Sequence, residues 1–423
     1  MSAQARWYAR QVPEPDRGDG SPPAVDERRA ARPPATSRPT DRAVGAVLWL
    51  GAVAVAVRTA VTDLRLPLAT RQPDLHVYLG AVHLLLHGGS LYSYVGPRAA
   101  PFLYPPSTAV VFAPLTWFSE QSVRVGWTVA TCVVVLAGAA ALARWLPWPP
   151  ARAWPVIASG ALALALVTSG PFRSNIAMGQ VSVQLTIITA VDALTFRGRR
   201  GQGVLTGIAA AAKLTPLLFV PFYWFTGQRR AAWQATATFA LCTVVSAVVW
   251  PHDSWRYWTH EVVSSSRTQG LVGKSGNQSL LGLLAHVAHV GPGLRVGWLL
   301  AALAVGALGL VQAVRTERAG DHFIAVVLCG VTTVVVSPLS WNHHQLWIVL
   351  LAGVVMSRRI WVQVVWMALV LVVSHPGGLP LQALGHHGLP NWVEHNQKGL
   401  LAVVAVCLLP FLRRPGDVRT LRR

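Results

Sequence analysis

The chain has 423 residues, 53% of them hydrophobic and only 12% charged, with a mean hydropathy of +0.44. A soluble domain carries about 25% charged residues, so the composition excludes an ordinary soluble globular protein and points to a membrane protein. A net charge of +20 would fit a nucleic-acid binder, but the arginines form short clusters between apolar runs, where the positive-inside rule puts them, so no nucleic-acid partner is expected.

Residues 1–42 are rich in Pro, Arg, Asp and Ala and lack apolar periodicity, which predicts a disordered tail rather than a signal peptide. Its eight arginines place it in the cytoplasm. Ten apolar runs follow within a membrane domain at 43–412, each weighed against the roughly 20 residues that cross a bilayer. They lie near 43–62, 124–146, 153–170, 181–196, 231–250, 294–314, 322–338, 343–357, 360–375 and 398–412. From a cytoplasmic start the inner loops are 147–152, 197–230, 315–321 and 358–359, with a basic tail at 413–423. These hold Arg152, the RGRR run at 197–200, Arg315 and Arg318, Arg358 and Arg359, then Arg413 and Arg414, as the positive-inside rule requires.

Two apolar stretches are not expected to cross. Residues 203–226 have arginines on both flanks, and Lys213 and Pro216 break them into halves, because proline cannot continue a helical hydrogen-bond ladder. Two short helices that enter and return are predicted there. The proline-broken stretch 103–118 predicts a similar excursion from the outer side. The fold class expected is all-α and polytopic, with about 10–12 transmembrane helices plus re-entrant or interfacial ones. Cys132, Cys242, Cys329 and Cys407 lie in apolar runs without ligand spacing, so neither a disulfide framework nor a metal site is expected.

The longer polar loops, 63–123, 171–180, 251–293 and 376–397, fall outside, so chemistry is expected on the extracytoplasmic face. Of the acidic residues, six lie in the tail; Glu317, Asp321 and Asp417 are cytoplasmic; Asp192 is expected to pair with the RGRR run. Asp63, Asp74, Glu120, Asp253, Glu261 and Glu394 remain as possible general bases outside. Asp74 and Tyr78 share one face of a predicted interfacial helix that also carries His76, His83 and His87. Asp74 reads either as a helix N-cap or as a functional carboxylate; the His83 and His87 pair reads as a metal pair or as interfacial packing. Three further clusters lie on the same face: FRSNIAMGQ at 172–180 with Arg173, Asn175 and Gln180; KSGNQSLLGLL at 274–284 with Lys274, Asn277 and Gln278; and SPLSWNHHQ at 337–345 with Trp341, His343 and His344. Singly each reads as a helix start or a packed turn. Together they favour a site. There is no Gly-rich phosphate loop, GxSxG elbow or HExxH.

The segments DLHVYLGAVHLLLHGGSLY, FLYPPSTAVVFAPL, NIAMGQVSVQL, GIAAAAKLTPLLFVPFY, NQSLLGLL and SPLSWNHHQLW occur in an order that resembles glycosyltransferase family 87, over roughly residues 44 to 357. The resemblance implies an actinobacterial plasma-membrane enzyme of the class C glycosyltransferase fold. It implies a polyprenyl-phosphate sugar as donor on the extracytoplasmic face, and a glycolipid or lipoglycan of phosphatidylinositol mannoside, lipomannan or lipoarabinomannan type as acceptor. No metal or other cofactor is implied. It assigns Asp74 as the catalytic base of an inverting transfer. Cations that steady the leaving phosphate would come from Arg173, Lys213, Lys274, His343 and His344. His76, Tyr78, Tyr104, Asn175, Gln180, Asn277, Gln278 and Trp341 stand as candidate substrate-binding residues. Arabinofuranosyl transfer to cell-wall arabinan is the alternative within the family. A lipid or sugar transporter is the alternative from another class; it would place ionisable residues at mid-membrane and show paired repeats, whereas only Lys213 is deeply placed here and no repeat is evident.

Overall fold

The computed structural model describes residues 39–68, 70–97, 100–147, 154–262, 269–357, 359–381 and 388–412. Of the tail expected at 1–42, residues 1–38 lie outside the described residues, as do the inner-loop Arg152 and Arg358 and the basic tail at 413–423. Helix α1 (Pro39–Leu64) already includes residues 39–42, which therefore belong to the first helix and not to the tail. Its proline sits in the first turn, where a missing N–H leaves nothing unsatisfied.

Helix α2 (Pro73–Leu86) opens the same way and buries Leu75, Tyr78, Val82 and Leu85 while His83 and His87 stay exposed, the pattern of a helix lying on the bundle. Helix α3 (Ser107–Phe112) runs into a 3₁₀ turn over Ala113–Trp117, so the proline-broken stretch is short, as expected. Helix α4 (Glu120–Ala143) is capped by Ser119, whose Oγ accepts the Ser122 N–H. Helices α5 (Trp154–Thr168) and α6 (Gly170–Met178) meet at a 55° bend. Helix α7 (Ser182–Thr195) follows.

Helices α8 (Val204–Ala212) and α9 (Phe219–Phe225) are the halves of the predicted hairpin, separated at Lys213 and a 3₁₀ turn over Thr215–Leu218. Both free ends return to the start of α10 (Arg229–Val249): Gly203 abuts the Ala231 carbonyl, and the Trp224 ring meets the Trp233 ring at 6.0 Å. Lys213 is therefore at the hairpin tip. The chain continues through α11 (Pro251–Arg256), α12 (Gln269–Val272), α13 (Leu280–Ala285), α14 (Pro292–Arg318), α15 (His322–Val336), α16 (Leu346–Leu350), α17 (Ile360–Ser374) and α18 (Leu389–Leu412). Among the described residues there is no strand, only an isolated bridge between Val95 and Pro101.

Four helices, α1, α4, α10 and α14, are long and apolar enough to cross a membrane, and the bent α5–α6 pair would make a fifth. With 21 to 27 residues each, the four run about 30–40 Å, which matches a hydrocarbon core of about 30 Å. Three other apolar runs form shorter helices, α7, α15 and α17, of 14, 15 and 15 residues, and the run at 398–412 falls in the 24-residue α18. The run at 343–357, expected as a span, is instead broken into 3₁₀, α and 3₁₀ pieces. Leu346 to Leu351 are all buried, so that run is apolar because protein surrounds it and not because lipid does. Helix α15 is buried all round for the same reason, packed against α7, α14, α16 and α18.

Close helix contacts use small residues, as expected where backbones must approach in a membrane. A Cβ on Gly160 of α5 would stand 2.8 Å from Leu48 Cβ of α1, and Trp49 Nε1 donates to Ser159 Oγ at 3.0 Å across the same seam. At the end of the bundle away from Asp74, the expected pairing of Asp192 with the RGRR run does not form. The Asp192 carboxylate accepts from Gly203 N at 2.9 Å, Thr206 N at 3.1 Å and Thr206 Oγ1 at 2.6 Å, which caps α8. Arg197 pairs with Glu317 instead, Nη2 to Oε1 at 2.7 Å. Fixed backbone donors satisfy a fully buried carboxylate without burying an arginine beside it.

Candidate active site

Asp74 lies in the first turn of α2, after Gln72 (φ 50°) and Pro73. It is not the N-cap: Gln72 holds that position, and the Asp74 carboxylate reaches across to another element. Gln180 Nε2 donates to Asp74 Oδ2 at 2.5 Å. The Gln180 Oε1 faces two hydroxyls, Tyr78 at 2.8 Å and Tyr104 at 3.0 Å, and those hydroxyls lie 2.8 Å apart. This sets the amide: oxygen toward the tyrosines, nitrogen toward the carboxylate. Asp74 Oδ1 has no donor among the described residues, so one oxygen is held and the other is free to take a proton.

The turn that aims Gln180 is written in the backbone. Gly179 ends α6 at φ 67°, a conformation glycine adopts without strain, and Gln180 N–H reaches back to Asn175 O at 3.0 Å. A Cβ on Gly179 would come 2.6 Å from Leu75 Cβ, so the glycine also lets this turn press against α2. Asn175 Nδ2 donates to the Gln180 carbonyl at 2.8 Å and its Oδ1 accepts Val183 N–H at 3.1 Å. Asn175 thus builds the turn and has little left for substrate.

Lys213, at the hairpin tip, lies 3.2 Å from Ser182 Oγ and 2.6 Å from His344 Nε2, with its ammonium 5.7 Å from the Tyr104 ring centroid. His344 Nδ1 meets the Trp341 N–H at 3.0 Å. An anionic oxygen arriving here gives Lys213 a second acceptor and favours its ammonium form. Ser182, Thr215, Ser337 and Ser340 line a small cavity with these two residues, over Phe219 and Trp347. His343 packs on His344 at 4.4 Å and 85°, takes Ser174 Oγ at 3.3 Å through Nδ1, and buries an Nε2 that meets no partner.

Burial raises the pKa of Asp74 above the ordinary carboxylate value, while the Gln180 hydrogen bond and the Lys213 charge act against that rise. The other acids have fixed partners. Asp63 accepts from Gln72, Asp253 accepts Leu91 N–H at 2.7 Å, and Glu120 and Glu261 pair with Arg124 and Arg256. Glu394 belongs to α18, which packs against α13, α14 and α15. Asp63 also keeps one oxygen without a donor near Arg71 and Arg124, but Asp74 is the carboxylate whose free oxygen belongs to the cluster of Gln180, Tyr78, Tyr104 and Lys213.

The remaining candidates separate. Lys213, His343, His344, Tyr78, Tyr104 and Gln180 converge with Asp74 through the contacts above. Arg173 and Lys274 are exposed. His76 is engaged by Glu120, Nδ1 to Oε1 at 2.8 Å. Asn277 is spent on the Val272 and Pro338 carbonyls and the Ser340 N–H, and Gln278 on the His395 carbonyl and Gly399 N–H. Trp341 lies half-buried against Gly276. Among the described residues no three His, Cys, Asp or Glu side chains are grouped to hold a metal. Sequence reasoning missed Ser182, Ser174, and Arg71 with Arg124, described below.

A model of glycosyltransferase family 87 matches residues 102–338, which take in Gln180 and Lys213 and begin after Asp74. Curated mycobacterial proteins match further. The polyprenol-phosphate-mannose-dependent alpha-(1-2)-phosphatidylinositol mannoside mannosyltransferase of Mycobacterium tuberculosis is 32% identical over 359 residues, 80% of this chain and 83% of its own. The protein of the same name from Mycolicibacterium smegmatis is 32% identical over 293 residues, 64% of this chain and 66% of its own. The polyprenol-phosphate-mannose-dependent alpha-(1-2)-phosphatidylinositol pentamannoside mannosyltransferase of M. tuberculosis is 30% identical over 331 residues, 76% of this chain and 73% of its own. No solved structure matches. An all-α membrane fold, one free carboxylate facing a lysine, and this extent of similarity place the chain in glycosyltransferase family 87.

Proposed function

We propose that this glycosyltransferase moves a mannosyl residue from polyprenol-phosphate-mannose to a hydroxyl of a phosphatidylinositol mannoside-type glycolipid, on the extracytoplasmic face. The observation that carries the chemistry is Asp74, with Oδ2 clamped by Gln180 and Oδ1 free, opposite Lys213. The acceptor hydroxyl gives its proton to Asp74 Oδ1 as its oxygen bonds to the anomeric carbon. The bond from that carbon to the phosphate oxygen breaks, and the electron pair leaves with polyprenyl phosphate. Lys213, partnered by His344 and Ser182, takes the growing negative charge on that phosphate. One carboxylate acting once gives inversion at the anomeric carbon. Mannose is favoured over arabinofuranose because the curated relatives above are named for mannose transfer. The extracytoplasmic placement rests on the basic residues at the other end of the bundle, Arg197, Arg199, Arg200, Arg229, Arg230, Arg315 and Arg318.

The test is transfer by the purified protein, offered polyprenol-phosphate-mannose or polyprenol-phosphate-arabinofuranose with phosphatidylinositol mannoside as acceptor. Mannosyl transfer alone is expected. Arabinosyl transfer alone would overturn the donor assignment, and inactivity with both donors would overturn the acceptor class.

A further inference from the structure

A second cavity, of ≈ 260 Å³, opens at the start of α2, lined by Leu68, Arg71, Pro73, His76, Glu120 and Arg124. By the same measure one water needs only about 10–15 Å³. Its hydrogen bonds do not close. Arg124 is spent: Nε and Nη2 donate to Glu120 Oε1 at 3.2 and 2.5 Å, and Nη1 donates to the Arg71 carbonyl. His76 also engages Glu120. Arg71 is 6% exposed, and its Nε and Nη1 are buried with no acceptor. Asp63, the nearby carboxylate, feels the charges of Arg71 and Arg124, but it accepts from Gln72 at 3.2 Å, gives no oxygen to Arg71 Nε or Nη1, and does not line the cavity. Two buried guanidinium donors without an acceptor are costly, so Arg71 Nε and Nη1 mark a place prepared for an oxyanion.

The anion belongs to a lipid. Leu66 and Leu68 on one side of the cavity in sequence, and Trp117 and Phe118 just before Glu120, are exposed apolar side chains at 45%, 47%, 81% and 63%. Planar, doubly donating arginine suits phosphate oxygens, and apolar residues beside it suit acyl chains. Both substrates of the proposed reaction carry phosphate, and the helix geometry separates them. Pro73 and His76 lie roughly 150° around α2 from Asp74 and Tyr78. The donor phosphate is bonded directly to the anomeric carbon and must sit on the Asp74 side. The acceptor phosphodiester is set apart from the attacking hydroxyl by its inositol and mannose rings. We propose that the Arg71 cavity binds the phosphodiester of the acceptor lipid, across α2 from the reacting hydroxyl; this rests on the acceptor class proposed above.

The test uses the purified full-length protein in maltoside detergent, with initial rates at varied phosphatidylinositol mannoside and varied polyprenol-phosphate-mannose. Arg71→Gln removes a charge-assisted hydrogen bond, so the acceptor KM should rise about 10–100-fold while kcat and the donor KM stay put. Arg71→Lys should fall between the two. Leu68→Trp fills the cavity from an exposed position and should raise the acceptor KM without touching Arg71. A rise in the donor KM instead would mean that the cavity reads the leaving phosphate, and unchanged constants in both variants would mean that it reads none; either overturns the proposal. A second arm measures equilibrium binding of radiolabelled phosphatidylinositol mannoside to Asp74→Asn with and without Arg71→Gln. That arm needs no turnover, so it still decides the matter if the wild type transfers no mannose. Weakened binding with Arg71→Gln supports the proposal, and equal binding overturns it.

Discussion

Replacing Gln180 by leucine isolates one contact. The side chain donates to Asp74 Oδ2 at 2.5 Å, whereas the bonds that build its turn use the Gln180 backbone: Asn175 Nδ2 to Gln180 O, and Gln180 N to Asn175 O. The turn survives, and the Tyr78 and Tyr104 hydroxyls, 2.8 Å apart, still satisfy one another in part. What goes is a hydrogen bond that favours the ionised carboxylate. Burial already raises the Asp74 pKa, with Gln180 and Lys213 holding it down, so the variant moves it further up. The base works only when ionised, so the acid limb of kcat/KM moves to higher pH. A hydrogen bond to a charged group contributes about 1.5–3 kcal/mol, which sets the loss on that limb at about 10–100-fold. Toward high pH, where Asp74 is ionised in both proteins, the gap narrows. The assay is initial-rate mannosyl transfer across pH. A uniform loss at every pH, or an unmoved limb, refutes the reasoning and leaves Gln180 as a merely structural residue.

Lys213→Met removes the cation at the hairpin tip and should cut kcat by about 100–1000-fold, with the acceptor KM retained; single-turnover rates measure it, and a wild-type kcat rules out the phosphate role. Asp192→Ala takes three donors' acceptor from the start of α8, far from the chemistry. It should cost about 1–3 kcal/mol of stability, seen as a lower Tm in detergent; an unchanged Tm contradicts the cap.

Much of this site could be read from residue order. Pro216 beside Lys213 announced the hairpin break, since proline cannot sit inside a continuous helix. The position of Asp74 in an interfacial helix followed from the apolar spacing of Leu75, Tyr78 and Val82. Its role as cap did not survive, because Gln72 takes the left-handed position ahead of it. Asp192 misled for a different reason: its sequence neighbours are arginines, but its spatial neighbours are the free N–H groups of α8, brought there by the turn at Gly203. The run at 343–357 shows that apolarity reports burial and cannot by itself distinguish lipid from protein as the cover. Asn175, Asn277 and Gln278 were legible as polar residues in a polar loop, but an amide gives no sign in sequence of whether it will bind substrate or a backbone turn. Arg71 and Arg124 left no distinctive signal, because Arg65, Arg98, Arg173 and Arg256 lie in or beside the same polar loops and only packing shows which arginines are buried.

In the proposed transfer one carboxylate, Asp74, acts as the base. Asp74→Asn keeps the shape and an oxygen for Gln180 Nε2, so the protein should fold and bind polyprenol-phosphate-mannose as before. With the base gone, transfer to phosphatidylinositol mannoside should fall by about 100–10,000-fold. Measured beside donor binding in the same preparation, that loss is the predicted result; transfer at the wild-type rate contradicts the account.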